Sequence, residues 1–289
     1  FPCGKAGPTP ACFQFVGYFP LIVENVGSTL FDRVLRMPLI CCVSPKGGVG
    51  KTMIAANLAA SLAKKRHYHV VAVDLDPQNM LRLHLGGDVA DEQGFVKSVG
   101  NFESWEAALK EDRKSGVVTL PYGQLSAGKS IKKDSIIRQQ PELLWKPLLK
   151  MAESPRIVVV VDTPPGPSVM LQAILPHVDL LLTILAVDAA SAVLYSNIAA
   201  RKIYSEVRNM RRGYVLNQFD PMTRLGRSIC SGLSEKIGQA LFGVVHRDEY
   251  VGEALAMQQP VPDYAPLSRA AADLNNLSER VHRYLEARS

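Results

Sequence analysis

Short runs of consecutive apolar residues, rich in Val, Ile and Leu, alternate along this chain with longer segments in which apolar residues return every three or four positions. The runs fall at 39–44, 70–75, 117–121, 157–161, 180–186, 213–217 and 242–245, and "IVVVV" at 157–161 shows their character. A strand that is apolar at successive positions is buried on both faces, as in a parallel sheet covered by helices. The intervening segments 51–65, 102–111, 135–153, 189–209 and 225–240 carry the helical period. Strand and helix in alternation predict right-handed crossovers, hence an α/β fold with a single doubly wound domain and a mostly parallel sheet. No internal repeat or low-complexity linker divides it.

Both ends modify this picture. Residues 1–36 scatter Pro and Gly irregularly, hold no period, and lack the basic start, apolar core and small-residue cleavage site of a signal peptide. They read as an N-terminal extension, disordered or non-native, and the folded domain is expected over 37–289, because Met37 leads directly into "PLICCVSPKGG". At the other end, "LSRAAADLNNLSERVHRYLEARS" sets Leu267, Ala271, Leu274, Leu277, Val281 and Leu285 on one stripe with acids and bases mixed opposite. That predicts a helix packed on the core and not one inserted in a membrane.

Composition adds little. The 289 residues are 47% hydrophobic and 21% charged, an ordinary globular balance, and the net charge of +6 is spread along the chain, which permits an acidic partner without demanding one. Five cysteines form no C-x-x-C pair, and Cys41 and Cys42 stand inside an apolar run. The expectation is a reduced, cytoplasmic protein. No apolar run approaches the roughly 20 residues needed to span a bilayer.

The candidate chemistry sits at the ends of three predicted strands, where open α/β sheets place their ligands. "SPKGGVGKT" at 44–52 nearly spells a phosphate-binding loop. Gly47, Gly48 and Gly50, with Val49 between them, let backbone N–H groups turn inward around a phosphate at the start of a helix. In such a loop Lys51 meets the β and γ phosphates and the Thr52 hydroxyl binds Mg²⁺. Lys46, five residues earlier, is unexplained by that pattern. "VDLDPQ" ends a second strand with Asp74 and Asp76 on the same side, and "VVDTPPG" ends a third with Asp162. Phosphoryl transfer needs a metal holder and a group that orients water, and three acids beside one loop supply candidates for both.

"KGGVGKT", "VDLDPQ" and "VVDTPPG", in this order and spacing, resemble the deviant phosphate-loop ATPases of the MinD/ParA class over about residues 37–289. The resemblance implies ATP and Mg²⁺ as cofactors and a homodimer with two sandwiched ATP molecules, in which Lys46 reaches the partner's nucleotide while Lys51 serves its own. It implies that Asp76 positions the hydrolytic water, that Asp74 assists the Mg²⁺ shell, that Asp162 binds that shell through water, and that Asn217 reads the adenine edge. Met53 stands where a second threonine is commoner, next to the metal ligand Thr52, and His246 where many relatives carry proline. A lone surface histidine is the plain reading of His246.

Three further stretches, "DPQNMLRLHLG" at 76–86, "LPYGQLS" at 120–126 and the region 243–277, resemble the BcsQ family of bacterial cellulose biosynthesis proteins. This implies a slow regulatory ATP hydrolase working with cellulose synthase accessory subunits, brought to the inner membrane only through those partners. A ParA-like DNA or cargo partitioning ATPase is the alternative. For that role "ARKIYSEVRNMRRG" at 200–213 gathers Arg201, Lys202, Arg208, Arg211 and Arg212, which helical spacing would spread around a solvated face. No strong DNA binding is expected.

Overall fold

The computed structural model describes residues 38–287 except 66–67, 100–101, 113, 154–155, 201 and 205–209. The expected extension at 1–36 lies outside the described residues. Eight strands form one sheet: β1 Leu39–Val43, β2 His69–Asp74, β3 Lys110–Glu111, β4 Val117–Leu120, β5 Ile157–Asp162, β6 Leu180–Ala186, β7 Arg211–Phe219 and β8 Leu241–His246. Their order is β3-β4-β2-β5-β1-β6-β7-β8. Every pairing is parallel except β3 with β4. The seven predicted strands are all present. β3 corrects the helix expected over 102–111, which ends at Ala108; Lys110 and Glu111 carry no apolar signal that would mark a strand.

Alternation along each strand divides the interior into two cores. Leu39, Cys41, Val43, Val159, Val161, Leu181 and Leu185 face one side, and Ile40, Cys42, Val158, Val160, Leu180, Leu182 and Ile184 face the other. The second face is covered by α1 (Lys51–Ala63) and by the C-terminal helix α10 (Arg269–Glu286), which supply Ile54, Leu58, Leu274, Leu277 and Val281. Buried alanines 55, 56, 59 and 60 bring α1 close to the sheet. Within α1 the buried Asn57 donates to the Met53 carbonyl at 2.8 Å, and its Oδ1 accepts the Val261 N–H at 2.7 Å. One side chain thereby ties the phosphate-loop helix to the segment before α10.

Helix boundaries differ from the expected ones where the chain is interrupted. The continuous helix expected over 135–153 is two, α3 (Ala127–Gln139) and α4 (Glu142–Ala152), separated at Pro141, whose ring removes a backbone donor and disfavours helix in the residue before it. A short helix α5 (Val169–Ile174) follows β5. The helix expected over 189–209 ends early, as α6 (Ala189–Ala199). The next helix, α7 (Arg224–Ile237), lies as expected. On α10 the predicted stripe is buried from Ala271 to Leu285, but Leu267 precedes the helix and is wholly exposed. Among the described residues no helix is long and apolar enough to cross a membrane.

Candidate active site

Sheet register assembles the site. Asp162 pairs with Cys42 on one side and Asp74 on the other, so two acids and the start of the loop after β1 stand level at one sheet end. The loop is held from within and from the next strand end: the Ser44 hydroxyl donates to the Lys46 carbonyl at 2.6 Å, and the Gly166 N–H to the Ser44 carbonyl at 2.8 Å. Gly50 enters α1 at φ 82°, in the left-handed region, and a Cβ there would overlap the Asn217 amide. Both constraints require glycine.

The two lysines take different partners. Lys51 is 6% exposed, its Nζ 2.6 Å from Asp162 Oδ1 and 3.9 Å from Asp76 Oδ2. Burial alone would lower its pKa, but Asp162, Asp76 and Asp74 outweigh this and raise it, so the ammonium stays charged. Asp162 Oδ2 accepts the Thr52 hydroxyl at 2.7 Å. Burial pushes the Asp162 carboxyl up against the opposing pull of Lys51 and Thr52. Lys46 points elsewhere, with Nζ 2.5 Å from Asp188 Oδ2 and both side chains partly exposed. Asp188 follows β6 and caps α6, its Oδ1 accepting the Ser191 N–H at 2.8 Å. Despite partial burial, its hydrogen bonds to Lys46 and Ser191 hold its pKa below the usual carboxylate range.

At the end of β2 the two acids differ. Asp74 is fully buried, and its oxygens accept the N–H groups of Asp76 and Leu81, each at 2.9 Å. Burial and the neighbouring Asp162 raise its pKa well above normal. It shapes the turn that carries Asp76. Asp76 accepts the Gln78 N–H through Oδ1 at 3.0 Å, leaving Oδ2 toward Lys51.

The predicted adenine reader, Asn217, ends its side chain on the loop: Nδ2 donates to the Val49 carbonyl at 2.7 Å, and the adjacent Gln218 donates to the Gly48 carbonyl at 3.0 Å. A cavity of about 1100 Å³ opens beside them, with Gly50, Met53, Asp188, Asn217 and His246 in its lining. It is large enough for a nucleoside. His246 is not a lone surface histidine. Its Nδ1 lies 2.7 Å from Asp273 Oδ2, its backbone N–H donates to the same oxygen at 3.0 Å, and its ring tilts against Phe219 at 4.9 Å.

Nucleotide and metal fit these residues. The turned loop leaves Gly48 at φ 75° with open space around it, as a phosphate cradle requires. The Thr52 hydroxyl and the Asp162 carboxylate share one short contact, a hard-oxygen pair suited to Mg²⁺. Among the described residues no three His, Cys, Asp or Glu side chains form a metal cage.

Every predicted site residue thus lies at or beside the loop. Asp188, Gln218 and Asp273 escaped the sequence reading, although "VDAAS" has the strand-to-cap spelling that could have marked Asp188. Among the described residues of the basic stretch at 200–213 no helix is present: Lys202 lies in a bend, Arg211 and Arg212 begin β7, and Arg201 and Arg208 fall outside the described residues. The Arg212 guanidinium donates to the Tyr204 carbonyl.

The chain is similar to several known proteins. The chain is 27% identical over 243 residues to the cellulose biosynthesis protein BcsQ of Escherichia coli, covering 81% of this chain and 89% of that protein. It is 26% identical to the sporulation initiation inhibitor protein Soj of Bacillus subtilis, covering 84% and 97%. Among solved structures it superimposes on the septum site-determining protein MinD of Pyrococcus horikoshii, complexed with Mg-ADP, with a TM-score of 0.69 at 20% identity, covering 87% of this chain and 98% of that one. The ParA family ATPase of Chlorobium tepidum gives 0.66 at 22% identity, covering 84% and 98%. The fold is therefore that of the MinD/ParA phosphate-loop NTPases. The model of the family described as cellulose biosynthesis protein BcsQ matches residues 37–281, most of the chain, and the chain belongs to that family.

Proposed function

We propose that this chain is an ATP-dependent switch that dimerises with ATP, hydrolyses it slowly to ADP and phosphate, and acts as an accessory factor in bacterial cellulose synthesis. The observation that carries the reading is the separation of the two lysines: Lys51 is buried on Asp162, whereas Lys46 rests on the partly exposed Asp188. A cation held at the surface by a single weakly protected pair can be transferred to another anion at small cost. We assign Lys46 to the nucleotide of a second copy and Lys51 to its own. Gly47, Gly48, Val49, Gly50, Lys51, Thr52 and Met53 would cradle the phosphates, with Asn217 at the base.

Bound Mg²⁺ would neutralise charge developing on the phosphates; Thr52 and Asp162 would hold it, with Asp74 fixing the turn beside them. Asp76 would orient the attacking water, its Oδ2 free of backbone bonds. The ATPase unit is taken as 37–289. Cellulose synthase accessory subunits are the proposed partners, in the cytoplasm or at the inner membrane through those partners, on the strength of the BcsQ similarity. DNA partitioning is the alternative. The engagement of Arg212 by a main-chain carbonyl weighs against it.

Sedimentation and phosphate release test the switch together. With ATP and Mg²⁺ a dimer and slow phosphate release are expected, and with ADP a monomer. A monomer under both conditions would sink the dimer reading. Tight, ATP-dependent binding to random DNA at physiological salt would favour partitioning.

A further inference from the structure

We infer that His246, oriented by Asp273, selects adenine over six-oxo purines at the base end of the cavity; this rests on the nucleotide reading above. If the phosphates lie on the loop, the base must lie beyond Gly50 and Asn217, and the cavity runs in that direction to the end of β8. His246 lines it there, half-sheltered against Phe219. The ring is not free to choose its tautomer. Asp273 Oδ2 receives both the backbone N–H of His246 and the contact from Nδ1. An ionised carboxylate has no proton to give, so Nδ1 must carry one, and in the neutral ring Nε2 is left as an acceptor.

An acceptor facing position six of a purine discriminates by sign. Adenine carries an amino group there and donates. Guanine and hypoxanthine carry a carbonyl oxygen, which sets lone pair against lone pair. Sites that pair a specific polar group reject analogues lacking it more strongly than apolar pockets do. Met53, also in the lining, has no hydrogen-bond donor and only a weak sulfur acceptor. Asp273 is a positioning residue in this scheme, contributed by α10, so that the C-terminal helix reaches the base site without touching the ligand.

The test is an exchange of one ligand atom group against one side chain. Affinities of ATP, purine riboside triphosphate, which lacks the six-amino group, and inosine triphosphate are measured for the unmodified chain and for His246→Phe, with melting curves to verify folding. The unmodified chain should prefer ATP over purine riboside triphosphate about ten-fold, the worth of one hydrogen bond. In His246→Phe that ratio should fall to near one through weaker ATP binding, with purine riboside triphosphate unchanged, and inosine triphosphate should no longer be disfavoured. Should His246→Phe not fold, Asp273→Ala serves, since it removes the acceptor that holds Nδ1–H and frees the ring to turn or to present a protonated Nε2; the ATP to inosine triphosphate ratio should then drop. A ratio unmoved by either variant, with ATP still bound, overturns the role of His246 and leaves the ATPase reading standing. If the unmodified chain binds none of the three, both fall.

Discussion

At the scale of single residues, the site separates binding from chemistry. Lys51→Ala removes the buried cation that faces Asp162 and would face the β and γ phosphates, so ATP affinity should fall at least 100-fold in calorimetry. Asp76→Ala should instead bind ATP normally while phosphate release drops by a similar factor, because water orientation acts on the transition state. Equal loss of binding in both variants would contradict the division. Asp188 gives a third expectation. As it holds Lys46 in the free chain, Asp188→Ala should release the lysine and lower the ATP concentration needed for dimerisation by a few-fold, read by sedimentation; a higher requirement would refute the hold. The loop, Asp74, Asp76 and Asp162 were legible because each ends an apolar run in a short, local spelling. Gln218 and Asp273 were not, because what defines them is a partner 170 or 27 positions away, which no local pattern records; the cap spelling at Asp188 is local, but its hold on Lys46, 142 positions away, is not.

Secondary-structure elements were legible where burial dominates and illegible where a local interruption does. The seven parallel strands announced themselves because both faces are covered and nearly every position is apolar. β3 has only Lys110 and Glu111, both exposed, and owes its existence to pairing with β4. The break at Pro141 leaves no mark in the apolar period, which continues across it into α4. Leu267 fitted the stripe of α10 by count alone, yet Ser268 caps the helix one residue later, its hydroxyl accepting the Ala271 N–H at 3.1 Å. The contrast can be measured. Leu277 is fully buried over Gly243, and Leu277→Ala should cost about 2–5 kcal/mol of stability by denaturant unfolding, whereas Leu267→Ala should stay within about 0.5 kcal/mol. Equal effects would mean that α10 does not pack as described.

For the whole molecule, stability and ligand binding share the same interior. His84 lies buried in the turn Leu81–Leu85, and burial pushes its imidazole down from 6.5 to about 4. Between those values the unfolded chain binds a proton that the folded chain refuses. Its contribution is therefore fully present above pH 6.5 and is lost as pH falls toward 4, a cost on the order of 3 kcal/mol. Raised carboxylates such as Asp74 act with the opposite sign, so the comparison is with His84→Leu: the acid slope of the unfolding free energy should be shallower in that variant, and parallel slopes would exclude His84 as the source. The bond from Val261 to Asn57 has another consequence. The amide proton of Val261 is sheltered by a side chain of the helix that begins at Lys51, so its exchange with solvent and its magnetic resonance shift register the state of that helix from the far side of the chain. A single backbone proton, 210 positions beyond Lys51 in sequence, is thus bonded to the helix that carries the lysine of the phosphate loop.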